Sequence, residues 1–138
     1  MNLSPGSEFV SRLRSGLFVI VLSFFLMAFA LTWKAIANEP GLVDVLAFVV
    51  ELAFGALGLL FVYRFASEPQ RMKLPIVSLL VIAAAFHLWL ILAYVDFRAC
   101  PFGVTFCTAT LYGYLAILVA MAAVLAAAKP TNSPIVRH

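Results

Sequence analysis

The stretch VLAFVVELAFGALGLLFVY, residues 45–63, decides the fold. Its nineteen residues lie between Asp44 and Arg64 and contain one charge, Glu51. At about 1.5 Å rise per residue, a helix of roughly 20 apolar residues crosses the ~30 Å hydrocarbon layer of a bilayer. No water reaches the backbone there, so a helix is the form such a stretch must take. Three further stretches read the same way. Ser15 to Trp33 holds nineteen uncharged residues between Arg14 and Lys34, and Leu74 to Val95 holds twenty-two between Lys73 and Asp96. The fourth, Cys107 to Ala128, lies in the charge-free run from Arg98 to Lys129. β-barrel alternation is absent from all four.

The composition agrees. The 138 residues are 65% hydrophobic and 11% charged, with a mean hydropathy of +1.12, whereas soluble domains run near ~45–50% apolar and about 25% charged. Four spans use most of the length and leave no room for an ATPase motor, a dinucleotide-binding domain or a large ectodomain. The net charge of +3 is spread along the chain, which argues against nucleic-acid binding.

The expected fold is all-α: an integral membrane four-helix bundle running up-down-up-down, with helices at 15–36, 42–65, 73–96 and 106–128. Asn38-Glu39-Pro40-Gly41, Ser67-Glu68-Pro69 and Arg98-Ala99-Cys100-Pro101-Phe102-Gly103 separate the helices, and Lys129-Pro130 stops the last. Loops this short make sequential helices antiparallel neighbours. Pro75 is expected in the first turn of the third helix, where its missing N–H loses nothing. Ala35-Ile36-Ala37 has the small residues of a signal-cleavage site, but the apolar run before it exceeds a signal core of about 7–15 residues. Gly6-Ser7-Glu8-Phe9 reads like a cloning scar, so no reading rests on residues 1–9.

Orientation follows the distribution of Lys and Arg. Arg12, Arg14, Arg64, Arg71, Lys73, Lys129 and Arg137 fall on one side, and only Lys34 and Arg98 on the other, beside Glu39, Asp44 and Asp96. Seven against two puts the N-terminal segment 1–14, the central loop and the tail 129–138 in the cytoplasm, in a plasma membrane or a bacterial or archaeal inner membrane. Trp33, Tyr94 and Tyr112 then form an outer aromatic belt, with Tyr63 at the inner one.

Glu51 is the residue most at odds with its surroundings. It lies seven residues past Asp44, ~10 Å below that boundary at helical rise. An ionised acid at mid-span costs about 2.5–3.5 kcal/mol, so it must face protein, be paired or be protonated. Gly55 and Gly58 follow on the same helical face and let another backbone approach closely. His87, nine residues before Asp96, lies ~13 Å below the same boundary and is the expected partner. Such an intramembrane pair can relay a proton, hold a cation, hydrogen-bond a quinone carbonyl, or only fix helix register. Trp89 and Tyr94 are expected to line a ligand site beside it. The sequence requires no cofactor. Quinone, or a haem shared with another subunit, is compatible with it; with His138 in the tail as the only other histidine, one chain cannot supply two axial ligands. No metal-site spacing is present.

Cys100 and Cys107, with six residues between them in CPFGVTFC, fall at the outer boundary. Pro101 and Gly103 favour a turn that can bring the sulfurs within bonding range, so the pair reads as a disulfide or, in the alternative, as two free packed thiols. Ala109, Gly113, Ala116, Ala120, Ala123 and Ala127 recur at alternating steps of four and three, the seam of a left-handed helix pair. The expected place of this stripe is inside the bundle, with Leu115, Leu118 and Leu125 on the opposite surface; contact with another subunit is the alternative.

In size and topology the chain is similar to small multidrug-resistance transporters, whose essential carboxylate is in the first helix; here Ser15 to Trp33 holds none. The segment Leu88 to Tyr112 looks faintly like vitamin K epoxide reductase relatives, though its cysteines are not two residues apart. MARVEL-type tetraspan proteins share the expected topology and outer cysteine pair. None of these likenesses transfers a residue role. Three functional classes fit: a non-catalytic subunit or organiser within a larger respiratory or transport complex, a small oligomeric proton-coupled transporter using Glu51, and a redox subunit binding quinone near Glu51 and His87. The expected partners are the lipid bilayer, other membrane subunits or further copies of the chain, and no nucleic acid.

Overall fold

A computed structural model describes residues 3–37, 41–95, 98, 100 and 102–129, with backbone alone at 31 and 33–37. Asn38, Glu39, Pro40, Asp96, Ala99, Pro101, Pro130, Arg137 and His138, on which parts of the sequence reading fall, lie outside the described residues, as do the side chains of Trp33 and Lys34. Four helices carry the chain: α1 (Glu8–Ala37), α2 (Leu42–Phe65), α3 (Pro69–Ala93) and α4 (Val104–Ala127). The protein is all-α, and each helix is long and apolar enough to cross a membrane.

Two helix starts differ from the sequence expectation by a turn or more. α1 begins at Glu8 instead of residue 15. The Val10 N–H donates to Ser7 Oγ at 3.2 Å, an N-terminal cap, and Val10 and Leu13 are already buried. Arg12 and Arg14 are exposed on either side of this buried stripe, so charge counting cuts off two turns that the apolar stripe includes. α3 begins at Pro69, which takes the position where a proline ring suits a helix start. Pro75 is therefore inside α3, not in its first turn, and removes one bond from the helical ladder. At the start of α2 the Gly41 N–H donates to Asp44 Oδ2 at 3.0 Å.

The chain divides into two compact units, Met1–Pro75 with Ala128–His138, and Ile76–Ala127. In the first, α1 buries Val10, Leu13, Leu17, Ile20, Phe24 and Ala28. α2 buries Ala47, Glu51, Phe54, Gly55, Gly58, Val62 and Phe65. Both stripes advance mostly by threes and fours, the spacing of shallow-angle helix packing. The two helices meet where the Phe24 and Phe54 rings lie 5.5 Å apart and the Phe25 ring covers Gly55. Phe25 is twelve residues before the end of α1, and Gly55 thirteen after the start of α2. Each is thus about 18–20 Å from the connection, so α1 and α2 run antiparallel. The same unit holds the chain ends together: the Leu3 N–H donates to the Lys129 carbonyl at 3.2 Å, and Lys73 Nζ donates to the Ala128 carbonyl at 2.7 Å. An ammonium on the last carbonyls of a helix satisfies acceptors that the helix itself cannot.

In the second unit α3 buries Ile76, Leu79, Leu80, Ala83, His87 and Ile91 among others, and α4 buries Leu118, Ala122 and Leu125. A disulfide joins Cys100 to Cys107 with the Cα atoms 6.5 Å apart. Gly103, between them, has φ +95°, a backbone conformation that favours glycine.

The α1–α2 seam yields a direct test. A Cβ at Gly55 would stand 2.8 Å from Phe25 Cζ. Gly55→Ala should therefore destabilise the protein by about 1–3 kcal/mol, the usual range for overpacking. Denaturant titration in detergent micelles should show this loss, and Phe25→Leu in the same chain should recover part of it.

Candidate functional site

Two polar side chains lie inside membrane-length helices. Glu51 on α2 is 1% exposed and His87 on α3 is 2% exposed. Each is buried because of its place in an apolar stripe. Ala47, Gly55 and Gly58 lie four residues before, four after and seven after Glu51, on the same side of α2. That side faces α1 at Phe54 and Gly55, one turn further on. Gly55 and Gly58 are themselves buried, and Gly55 is where a ring from α1 lies against the α2 backbone. Glu51 belongs to the first unit and His87 to the second.

His87 has a defined local geometry. Its Nδ1 lies 2.6 Å from the Ala83 carbonyl oxygen, one turn earlier on α3. A carbonyl can only accept, so Nδ1 carries the hydrogen, and in the neutral ring Nε2 is the acceptor. The imidazole also meets the Tyr114 ring of α4 edge to face, with centroids 5.1 Å apart and planes at 82°. Such an arrangement sets a positive ring edge against a negative ring face. The sequence reading missed Tyr114. Its signal was the spacing Leu111, Tyr114, Leu118, Leu125, which is the inner stripe of α4.

The expected ligand-lining residues separate. Trp89 is two residues past His87, about 200° around the helix, and is 50% exposed. It packs outward against Phe86, ring centroids 6.1 Å apart, and does not share His87's face. Tyr94, seven residues past His87, does fall on that face and is half-buried.

α4 is turned the opposite way from the sequence expectation. Ala109, Gly113, Ala116, Ala120, Ala123 and Ala127 are all exposed, while Leu118, Ala122 and Leu125 are buried and Leu115 is half-buried. At 100° per residue the small-residue stripe lies about 180° from the buried one. A Cβ added at Gly113 would meet nothing within 4 Å. Leu118 and Leu125 fill the interior, and the narrow residues form a stripe on the exposed side, flanked by Tyr112, Ile117, Val119 and Val124.

Among the described residues no three His, Cys, Asp or Glu side chains form a group able to hold a metal ion. Compared with known protein families, curated proteins and solved structures, the chain matches none of them.

The His87 geometry specifies a tautomer. Solid-state NMR of chain labelled with ¹⁵N-histidine in lipid should show neutral His87 protonated at Nδ1. A neutral ring protonated at Nε2 would contradict the bond to Ala83.

Proposed function

We propose that the chain is a multi-pass membrane protein acting as a non-catalytic subunit or organiser, whose fourth helix docks on a transmembrane helix of another chain. The observation that carries this reading is the outward stripe from Ala109 to Ala127. In hydrocarbon, helices associate by close packing because lipid tails are as apolar as leucine. Small residues permit that approach and exposed leucines hold helices further apart. α4 also buries the smallest share of its apolar window, 17% against 33% to 39% in the other helices. Short connections between the described helices fit a protein that works through its membrane-facing surface. The Lys and Arg distribution favours both termini in the cytoplasm, in a plasma or bacterial or archaeal inner membrane.

The test is substitution along the stripe. Gly113→Leu with Ala116→Leu and Ala120→Leu should abolish co-purification of the partner chain, or of a second tagged copy, from native membranes. The helix content of the variant should be unchanged, because no interior residue is altered. Retained association would refute the docking reading.

A second reading, a small oligomeric proton-coupled transporter or a quinone-binding redox subunit, is supported by the burial of Glu51 and His87. Acids and imidazoles inside membrane spans are associated with such pathways. Under this reading Glu51→Gln, which keeps shape and removes charge, should lower proton-coupled uptake or quinone reduction at least tenfold in reconstituted vesicles. Unchanged activity with intact assembly would leave Glu51 a packing residue.

A further inference from the structure

The strongest charge asymmetry of the described residues lies at one end of the first unit. α1 begins there with Arg12 and Arg14, and the antiparallel α2 ends there with Arg64. α3 starts three residues after α2 and brings Arg71 and Lys73. The bonds from Leu3 to Lys129 and from Lys73 to Ala128 hold Lys129 at the same end. Six cations thus face two carboxylates, Glu8 and Glu68. Both carboxylates are already engaged along their own helices, Glu8 with Arg12 at 2.6 Å and Glu68 with Arg71 at 3.6 Å. Lys73 is taken by the Ala128 carbonyl. Arg14, Arg64 and Lys129 are exposed, and among the described residues none of them meets a carboxylate.

What lies beside these cations identifies the partner. Phe18 follows Arg14 by four residues and is exposed, and Leu60 precedes Arg64 by four and is exposed. Residues four apart share a helix face. Each arginine therefore stands one turn above an outward apolar side chain, towards the helix end. Tyr63, beside Arg64, is also exposed, an amphipathic ring of the kind that settles at a headgroup boundary. A soluble acidic partner would match the charges and leave the apolar residues uncovered. A lipid with a phosphate above two acyl chains matches both, and guanidinium pairs with phosphate through two parallel hydrogen bonds.

We propose that Arg14, Arg64 and Lys129 form a basic collar that selects anionic phospholipid headgroups, with the acyl chains lying on the adjoining apolar faces. The proposal rests on the chain crossing a bilayer, and not on α4 pairing with another helix. Its test uses the full chain reconstituted in phosphatidylcholine vesicles that contain trace spin-labelled phosphatidylglycerol or spin-labelled phosphatidylcholine. The fraction of each probe immobilised at the protein gives their relative affinity. At low salt phosphatidylglycerol should be preferred about fivefold, the order of one cation meeting one anionic headgroup. The preference should fall towards unity near ~1 M salt, where screening acts over about 3 Å.

The variant R14Q/R64Q/K129Q should lose the preference while immobilising as much phosphatidylcholine as before. R98Q, at a cation beyond the far end of α3, should retain it. Equal immobilisation of both lipids by the unaltered chain, a preference insensitive to salt, or one surviving in the triple variant would overturn the collar. Immobilisation of neither lipid would overturn the membrane reading, and the collar with it.

Discussion

Apolar side chains cover the outside of these helices, and such a coat is stable only against hydrocarbon or another apolar surface. The rest of the architecture follows. Backbone donors and acceptors are closed within four long helices, and the breaks between helices are short. Charges are confined to the helix ends, Glu51 excepted. Where two helices must hold together without help from water, they do so by close fit, as where the Phe25 ring lies on Gly55 and Phe24 meets Phe54. The hydrophobic effect puts such helices into a membrane, but it does little to choose which face of one meets which face of another.

Polar groups in this setting are satisfied locally. Ser15, Thr32 and Thr110 each donate a hydroxyl hydrogen to the carbonyl four residues earlier in their own helix. His87 does the same through Nδ1 to Ala83. Such back-bonding lets a helix carry a donor in hydrocarbon without a partner on another element. Glu51, 1% exposed on α2, is the one acidic side chain buried in a membrane-length helix among the described residues.

Two described surfaces differ in what they offer. The small residues of α4 expose little side chain and allow a close apolar approach. The collar at the start of α1 and the end of α2 presents cations above apolar residues. One suits a helix and the other a charged amphiphile, and neither requires a reaction.

The sequence by itself determined that the chain is four apolar helices, because each run between charges is long enough to span and too apolar to stay in water. It also indicated that Glu51 and His87 are buried, since leaving either against lipid is costly; the joining of Cys100 and Cys107, left open by the sequence, was shown by the structure. Helix starts were less legible: Arg12 and Arg14 interrupt a charge count but are exposed on either side of the buried stripe of a helix already under way. Tyr114 was missed because its spacing with Leu111, Leu118 and Leu125 marks the inner face only once the orientation of α4 is known. The orientation of α4 was decided only by tertiary structure. Its leucine stripe and its alanine-glycine stripe are both apolar, so hydropathy is indifferent between them, and the choice falls to whichever side chains fill the interior beside α3.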